Sequence, residues 1–99
     1  MAPDKTDIDE QALELRGKSK GFGKISEALG LPRPNDANEA FNRALRRRSP
    51  DEQVKIRQQE NARLDLLARS VSADSVRTQD EIDKRLRAID RLRNRLMAE

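Results

Sequence analysis

Apolar residues along this chain recur at intervals of three and four, and no segment alternates with a period of two. The pattern therefore predicts helices and no strand. The first helix starts at Thr6, which with Asp9 fits a capping box. Ile8, Ala12 and Leu15 make its apolar face, with Leu13 beside them, and Gly17 stops it. Asp7, Asp9 and Glu10 suit the positive end of that helix. A short second helix is expected from Phe22 to Leu29, with Ile25, Ala28 and Leu29 inward and Phe22 as a core anchor. Gly30 is its left-handed stop, and Pro32 and Pro34 prevent immediate resumption.

The third helix is expected to open with a second capping box, Asp36 and Glu39. Its apolar positions Ala37, Ala40, Phe41, Ala44 and Leu45 fall within an arc of about 140° at 100° per residue. Asn38, Asn42, Arg43 and Arg46 occupy the opposite side, with Glu39 among them and Arg47 at the edge. Arg48 would fall on the apolar side, so the helix should end near Arg47. Ser49-Pro50-Asp51-Glu52 then caps a fourth helix, with Pro50 in the first turn that it favours.

That fourth helix is expected to run to about Arg69, with Val54, Leu64, Leu67, Ala68 and Val71 on its apolar side and Arg57, Glu60 and Asn61 intruding on the stripe. Residues 70–75 have the small, polar character of a turn, and Thr78 with Glu81 caps a fifth helix. Ile82, Leu86, Ile89, Leu92 and Leu96 give that helix a nearly clean seam. Asp80–Lys84, Glu81–Arg85 and Asp83–Arg87 are i,i+4 pairs in the favourable order. If the chain reverses near Asp74, Val54 meets Leu96, Leu64 meets Leu86, Ala68 meets Ile82, and Arg57 faces Arg93. Without the reversal the two helices make one long rod. Two helices bury little by themselves, so this region is expected to pack against copies of itself. Val54, Leu64, Leu67, Ile82, Leu86, Ile89, Leu92 and Leu96 would be its contact residues.

The expected fold is all-α. Residues 1–48 form a three-helix unit with a helix-turn-helix, and residues 49–99 form a long two-helix antiparallel hairpin.

Composition narrows the chemistry. Of 99 residues, 39% are charged and 34% hydrophobic, and Phe22 and Phe41 are the aromatics, so the chain should lean on a partner chain or a polymeric ligand. It has no Cys, His, Trp or Tyr, which excludes disulfides, Cys/His zinc sites, thiol nucleophiles and imidazole acid–base chemistry. Asp7-x-Asp9-Glu10 lacks the turn glycines and the ligand number of a hard-cation loop. The acids otherwise sit at helix starts or in pairs with cations, where capping or solvation explains them. The expectation is no enzyme, no cofactor and no metal. The opening MAPDKTDIDE does not read as a secretory signal, and no stretch approaches the roughly 20 apolar residues of a membrane span. The expected setting is cytoplasmic.

Charge is unevenly spread. Residues 1–15 hold one Lys and five acids, residues 16–48 hold nine Lys and Arg against three acids, and residues 49–99 hold eleven against ten. A basic middle points to a polyanion partner. Gly17-Lys-Ser-Lys-Gly-Phe-Gly-Lys24 invites a phosphate-loop reading and fails it, because five residues separate Gly17 from Gly23 and Ile25 stands at the hydroxyl position. A dinucleotide fingerprint fails too, with Ser26 where its last glycine belongs.

A short helix, a glycine-marked turn and a following helix with Asn and Arg outward make a helix-turn-helix pattern. Asn pairs bidentately with adenine and Arg with guanine, while other cations neutralise phosphates. On this reading Asn38, Asn42, Arg43 and Arg46 face the groove of double-stranded DNA, and Lys18, Lys20, Lys24, Arg33 and Arg47 contact phosphates. Replacing Arg43 and Arg46 by Ala should then weaken DNA binding and leave the assembly intact.

Leu29-Gly30, a polar insert, then Ala37, Ala40, Phe41, Arg43, Ala44 and Leu45 resemble the helix-turn-helix of small terminase subunits, the short versions encoded by phages and prophages of actinobacteria. Arg57-Gln-Gln-Glu60 followed by Arg63-Leu-Asp65 is similar to the start of the next helical segment in that family. The resemblance covers about a third of the chain. It implies a homo-oligomer, in a ring, that recognises viral DNA for genome packaging and passes it to the large terminase subunit. Two departures are the long Gly17–Gly23 lead and the near absence of a segment beyond Met97, which bears on the contact with the large subunit. Two other functions fit the same elements: a dimeric transcriptional regulator or antitoxin, and a helical adaptor that binds protein through Ile82–Leu96.

Overall fold

In a computed structural model, which describes residues 5–98, the chain is all-helical, with no strand among the described residues. The helices are α1 (Lys5–Gly17), α2 (Phe22–Leu29), α3 (Pro34–Arg46), α4 (Pro50–Ser72) and α5 (Gln79–Met97). The first residues of the acidic lead, 1–4, lie outside the described residues. The chain divides into two compact units, one up to Pro50 and the other from Asp51 onward.

In the first unit α3 is central, packed by both α1 and α2, which also touch each other. Ala12, Ile25, Ala37, Ala40, Phe41, Ala44 and Leu45 are buried. Alanines at 37, 40 and 44 let two helices approach α3 closely, and Phe41 fills the space between them. Its ring lies 5.8 Å from that of Phe22, tilted by 60°, a favourable aromatic arrangement. Full burial of a side chain of this size contributes about 1.5–3 kcal/mol.

The helix ends follow local chemistry, with two corrections. Thr6 lies inside α1, so it is not the cap, and Asp9 is not a capping group: it is fully buried against α3. Pro34 does not delay α3 but opens it. The first-turn bonds are Asp36 N–H to the Arg33 carbonyl at 3.0 Å and Arg33 N–H to Asp36 Oδ2 at 3.1 Å, so the capping pair is Arg33 with Asp36 instead of Asp36 with Glu39. Proline lacks the N–H that the first helical position leaves unused, which explains the earlier start. Gly30 ends α2 with φ 67°, a left-handed geometry that suits glycine.

In the second unit α4 continues to Ser72, three residues past the expected Arg69. Thr78 Oγ1 accepts from Glu81 N–H at 3.2 Å and caps α5. Between the helices, Asp74 accepts from Val76 N–H at 2.9 Å and from Arg77 Nε at 2.9 Å. Arg57 Nε donates to the Leu96 carbonyl at 3.1 Å, and Arg93 donates to Asn61 Oδ1 at 2.9 Å and to Asp65 Oδ1 at 2.8 Å. Higher numbers in α4 thus meet lower numbers in α5. The register differs from the expected one: Arg93 sits with Asn61 and Asp65, one to two turns beyond Arg57. Like charges repel, and this shift supplies each arginine with an acceptor. Arg57 and Asn61 therefore take part in the contact between α4 and α5, and Glu60, Leu64, Val71, Ile89 and Leu96 are buried. Glu81 and Asp83 also find local partners other than the expected ones, Arg77 at 3.7 Å and Gln79 at 2.9 Å.

Candidate nucleic-acid interface

The first unit presents a short helix, a four-residue connection (residues 30–33) and a longer helix. Gly30 turns the chain, and Leu31 N–H donates back to the Ser26 carbonyl at 2.8 Å. These local bonds set where α3 begins.

Which side of α3 faces outward differs from the expectation. The buried residues Ala37, Asn38, Ala40, Phe41, Asn42, Ala44 and Leu45 span about 200° of the helix circumference at 100° per residue. An apolar arc of about 140° suits one neighbour, whereas α3 has two, and their combined footprint takes in both asparagines. Asn38 and Asn42 are consequently buried and do not face solvent. Asn42 Nδ2 donates to the Asn38 carbonyl at 2.9 Å and to its Oδ1 at 3.2 Å. Neither side chain can present its amide to a base edge.

Arg43 is likewise diverted. Its Nε donates to Asp9 Oδ1 and Oδ2 at 3.2 and 3.0 Å, and its Nη2 to Oδ1 at 2.9 Å. Arg47 reaches Asp9 Oδ2 at 2.9 Å, and Arg48 pairs with Glu10. The acids of α1 thus neutralise the arginines around the end of α3. The acidic lead and basic middle, separate along the chain, partly cancel in space. The planar fork that would recognise guanine is in Arg43 occupied by a carboxylate.

The remaining predicted cations lie on the surface. Lys18, Lys20, Lys24, Arg33 and Arg47 are exposed and Arg46 is half-buried. Lys18 pairs with Glu14 at 3.5 Å, Lys24 with Glu27 at 3.9 Å and Arg33 with Asp36 at 3.5 Å. Exposed pairs of this kind are worth about 0–1 kcal/mol, so a phosphate can displace the acid at little cost. Lys20 and Lys24 flank an apolar hollow of about 310 Å³ over Leu15, Ile25 and Ala28.

Two residues escaped the pattern. Arg16 is buried, its guanidinium 4.1 Å above the Phe22 ring centre and its Nη1 donating to the Lys20 carbonyl at 3.0 Å. It ties down the segment that carries Lys18 and Lys20, whose backbone passes through the left-handed region at Ser19, φ 65°. Asn35, exposed in the first turn of α3, is the second. It lies outside the expected helix, and only the earlier start at Pro34 places it on the outward arc with Glu39, Arg43 and Arg46.

The contact residues expected on the second unit split into three groups. Leu64, Ile89 and Leu96 are buried within a single chain and so unavailable to a second copy. Ile82, Leu86 and Leu92 are half-buried. Val54 and Leu67 are exposed, together with Leu66, Val76 and Met97, which the stripe did not single out. Among the described residues no cluster of acids is arranged to hold a metal ion, and no helix is long and apolar enough to cross a membrane.

Comparison of the chain with protein-family models, with curated proteins and with solved structures finds no match.

Proposed function

We propose that this chain is a DNA-binding, self-assembling subunit that performs no bond chemistry itself. In this reading α2, the four-residue turn and α3 act as a helix-turn-helix, and α4 with α5 forms an antiparallel hairpin whose outer surface joins copies. The observation that carries the reading is the short Gly30–Arg33 turn between α2 and α3, with Asn35 exposed in the first turn of α3 and exposed Lys18, Lys20, Lys24 and Arg33 on the same unit. Short connections with glycine are typical of the motif, and the second helix of such a pair is the one that enters the major groove.

Lys18, Lys20, Lys24, Arg33 and Arg46 would then sit on phosphates. A single head with five such contacts binds weakly, and several heads on one assembly add affinity through effective concentration. Exposed Val54, Leu66, Leu67 and Met97 supply apolar area for that assembly. The resemblance to small terminase subunits makes the recognition of viral DNA for packaging the fitting task, with delivery to a large motor subunit as its next step.

Binding to duplex DNA measured against salt tests the reading. Five phosphate contacts per head require log affinity to fall with log salt at a slope of about −4 to −5. Affinity indifferent to salt would leave the protein-adaptor role in its place. The mass of the assembly separates the remaining roles, since a closed ring larger than a dimer fits packaging and a dimer fits a transcriptional regulator.

A further inference from the structure

We infer that the outward face of α5 is a second phosphate-binding surface for duplex DNA, carried by Lys84, Arg87 and Arg91, an inference that rests on the DNA-binding role proposed above. Ile89 and Leu96, which are buried, mark the covered side of α5, with half-buried Ile82, Leu86 and Leu92 around them. On the far side Lys84, Arg87, Ala88, Arg91, Asn94 and Arg95 fall within an arc of about 120° at 100° per residue. All of these but Ala88 are exposed, and no acid shares the arc between Lys84 and Arg95.

Local pairing leaves the cations of this arc open. Asp83 accepts from Gln79 Nε2 at 2.9 Å, and Glu81 lies 3.7 Å from Arg77, so neither takes the cation four residues on. Among the described residues no carboxylate pairs with Lys84, Arg87 or Arg91, whereas Arg93 is held by Asp65 and Arg95 is engaged within the chain. Asp80, one turn before Lys84, and Asp90, beyond the edge of the arc, are exposed, and exposed acids hold such cations only weakly.

Charge complementarity selects the partner. Ala88 is the one apolar residue of the arc, so the face has no large anchor for a protein pocket and no apolar band to enter a bilayer. Exposed Val54, Leu66 and Leu67, proposed above to join copies, stand on the other helix. Phosphates need only the charge. Lys84 to Arg91 is about 10 Å of helix rise, a length over which one strand of a duplex presents about three phosphates, one for each cation. The small side chain of Ala88 adjoins a shallow hollow of about 320 Å³ edged by Arg77, Lys84 and Arg85, with Glu81 as its one acid. A phosphate can therefore approach the helix closely beside Lys84.

Amine labelling of the full-length protein at low salt, with and without a duplex and read lysine by lysine in a mass spectrometer, tests this. Duplex should protect Lys84 together with Lys18, Lys20 and Lys24 of the head, and raised salt should remove the protection. Lys55, exposed on α4, should keep its reactivity, and its equal protection would overturn the assignment to this face. Lys84→Gln, Arg87→Gln and Arg91→Gln combined retain good helix formers and should make the salt slope of duplex affinity shallower by about 3, at about 0.9 per phosphate. Protection of the head lysines without Lys84, or a slope unchanged in the triple variant, would overturn the inference and leave the DNA-binding role standing. Protection of Lys84 that follows protein concentration instead of duplex would give the face to a second copy and overturn it as well. No binding of any duplex by the wild-type chain at low salt would overturn both.

Discussion

Asp9 on α1 and Arg43 on α3, 34 positions apart, are joined through both carboxylate oxygens, at distances of 2.9 to 3.2 Å. Arg47 adds a third arm to the same carboxylate at 2.9 Å. The exposure of the partners is unequal: the Asp9 side chain is fully buried, whereas those of Arg43 and Arg47 are 32% and 42% exposed. A buried charge left without a partner is costly, while an arginine at the rim can turn to water.

This asymmetry orders a set of mutants. Replacing Arg43 and Arg47 together by Ala strands the Asp9 carboxylate and should cost about 3–5 kcal/mol. Asp9→Ala should cost less, because the freed arginines re-solvate. Denaturant unfolding of the three proteins checks the order, and a larger loss for Asp9→Ala would contradict it. Arg43→Ala is for the same reason a stability mutation, so the pair Arg43→Ala and Arg46→Ala is not a clean test of DNA binding.

The second unit separates inner from outer leucines. Leu64→Ala should destabilise it by about 2–5 kcal/mol, since the side chain is buried. Leu66→Asp with Leu67→Asp should leave helix content intact and reduce the assembled mass, because both side chains are exposed. Circular dichroism and light scattering measure the two effects. Unchanged mass in the aspartate variant would place the contact between copies elsewhere.

Asp74 makes the link between α4 and α5 sensitive to acid. Its carboxyl titrates below the ordinary aspartate range, first because Val76 N–H donates to it and further because of Arg77, against an opposing cost of desolvation. A folded-state pKa below the unfolded one gives stabilisation that is complete above the unfolded value and lost as pH falls through the folded value. Protection of the Val76 amide, taken relative to its intrinsic exchange rate at each pH, should therefore fall as pH drops below the ordinary aspartate range. In Asp74→Ala the amide should exchange fast at neutral pH too, and an acid response that persists in this variant would assign it to another group.

Gly23, the second residue of α2, has open space where a Cβ would stand and an ordinary helical backbone. Gly23→Ala should accordingly raise stability by about 0.5 kcal/mol through the lower entropy of the unfolded chain. Thermal unfolding of the variant decides it, and a fall in midpoint would mean that the glycine serves a close contact made outside this chain.

What could be read from the residues alone was local in origin. The all-helical character, the stop at Gly30 and the cap at Thr78 follow from periodicity and from bonds that span a few residues, so the chain carries them wherever it is placed. The outward side of α3 was not legible, because it depends on how many helices cover it. A second neighbour widened the covered arc and drew Asn38 and Asn42 inside, and the start at Pro34 brought Asn35 onto the open face in their stead. Nor was the partner of Asp9 legible: spacing within a helix says nothing about a group 34 positions away. Primary sequence determined which segments are helical; packing of one helix on another decided which of its charges remain available to a ligand, because charge pairing and burial are set by distance in space.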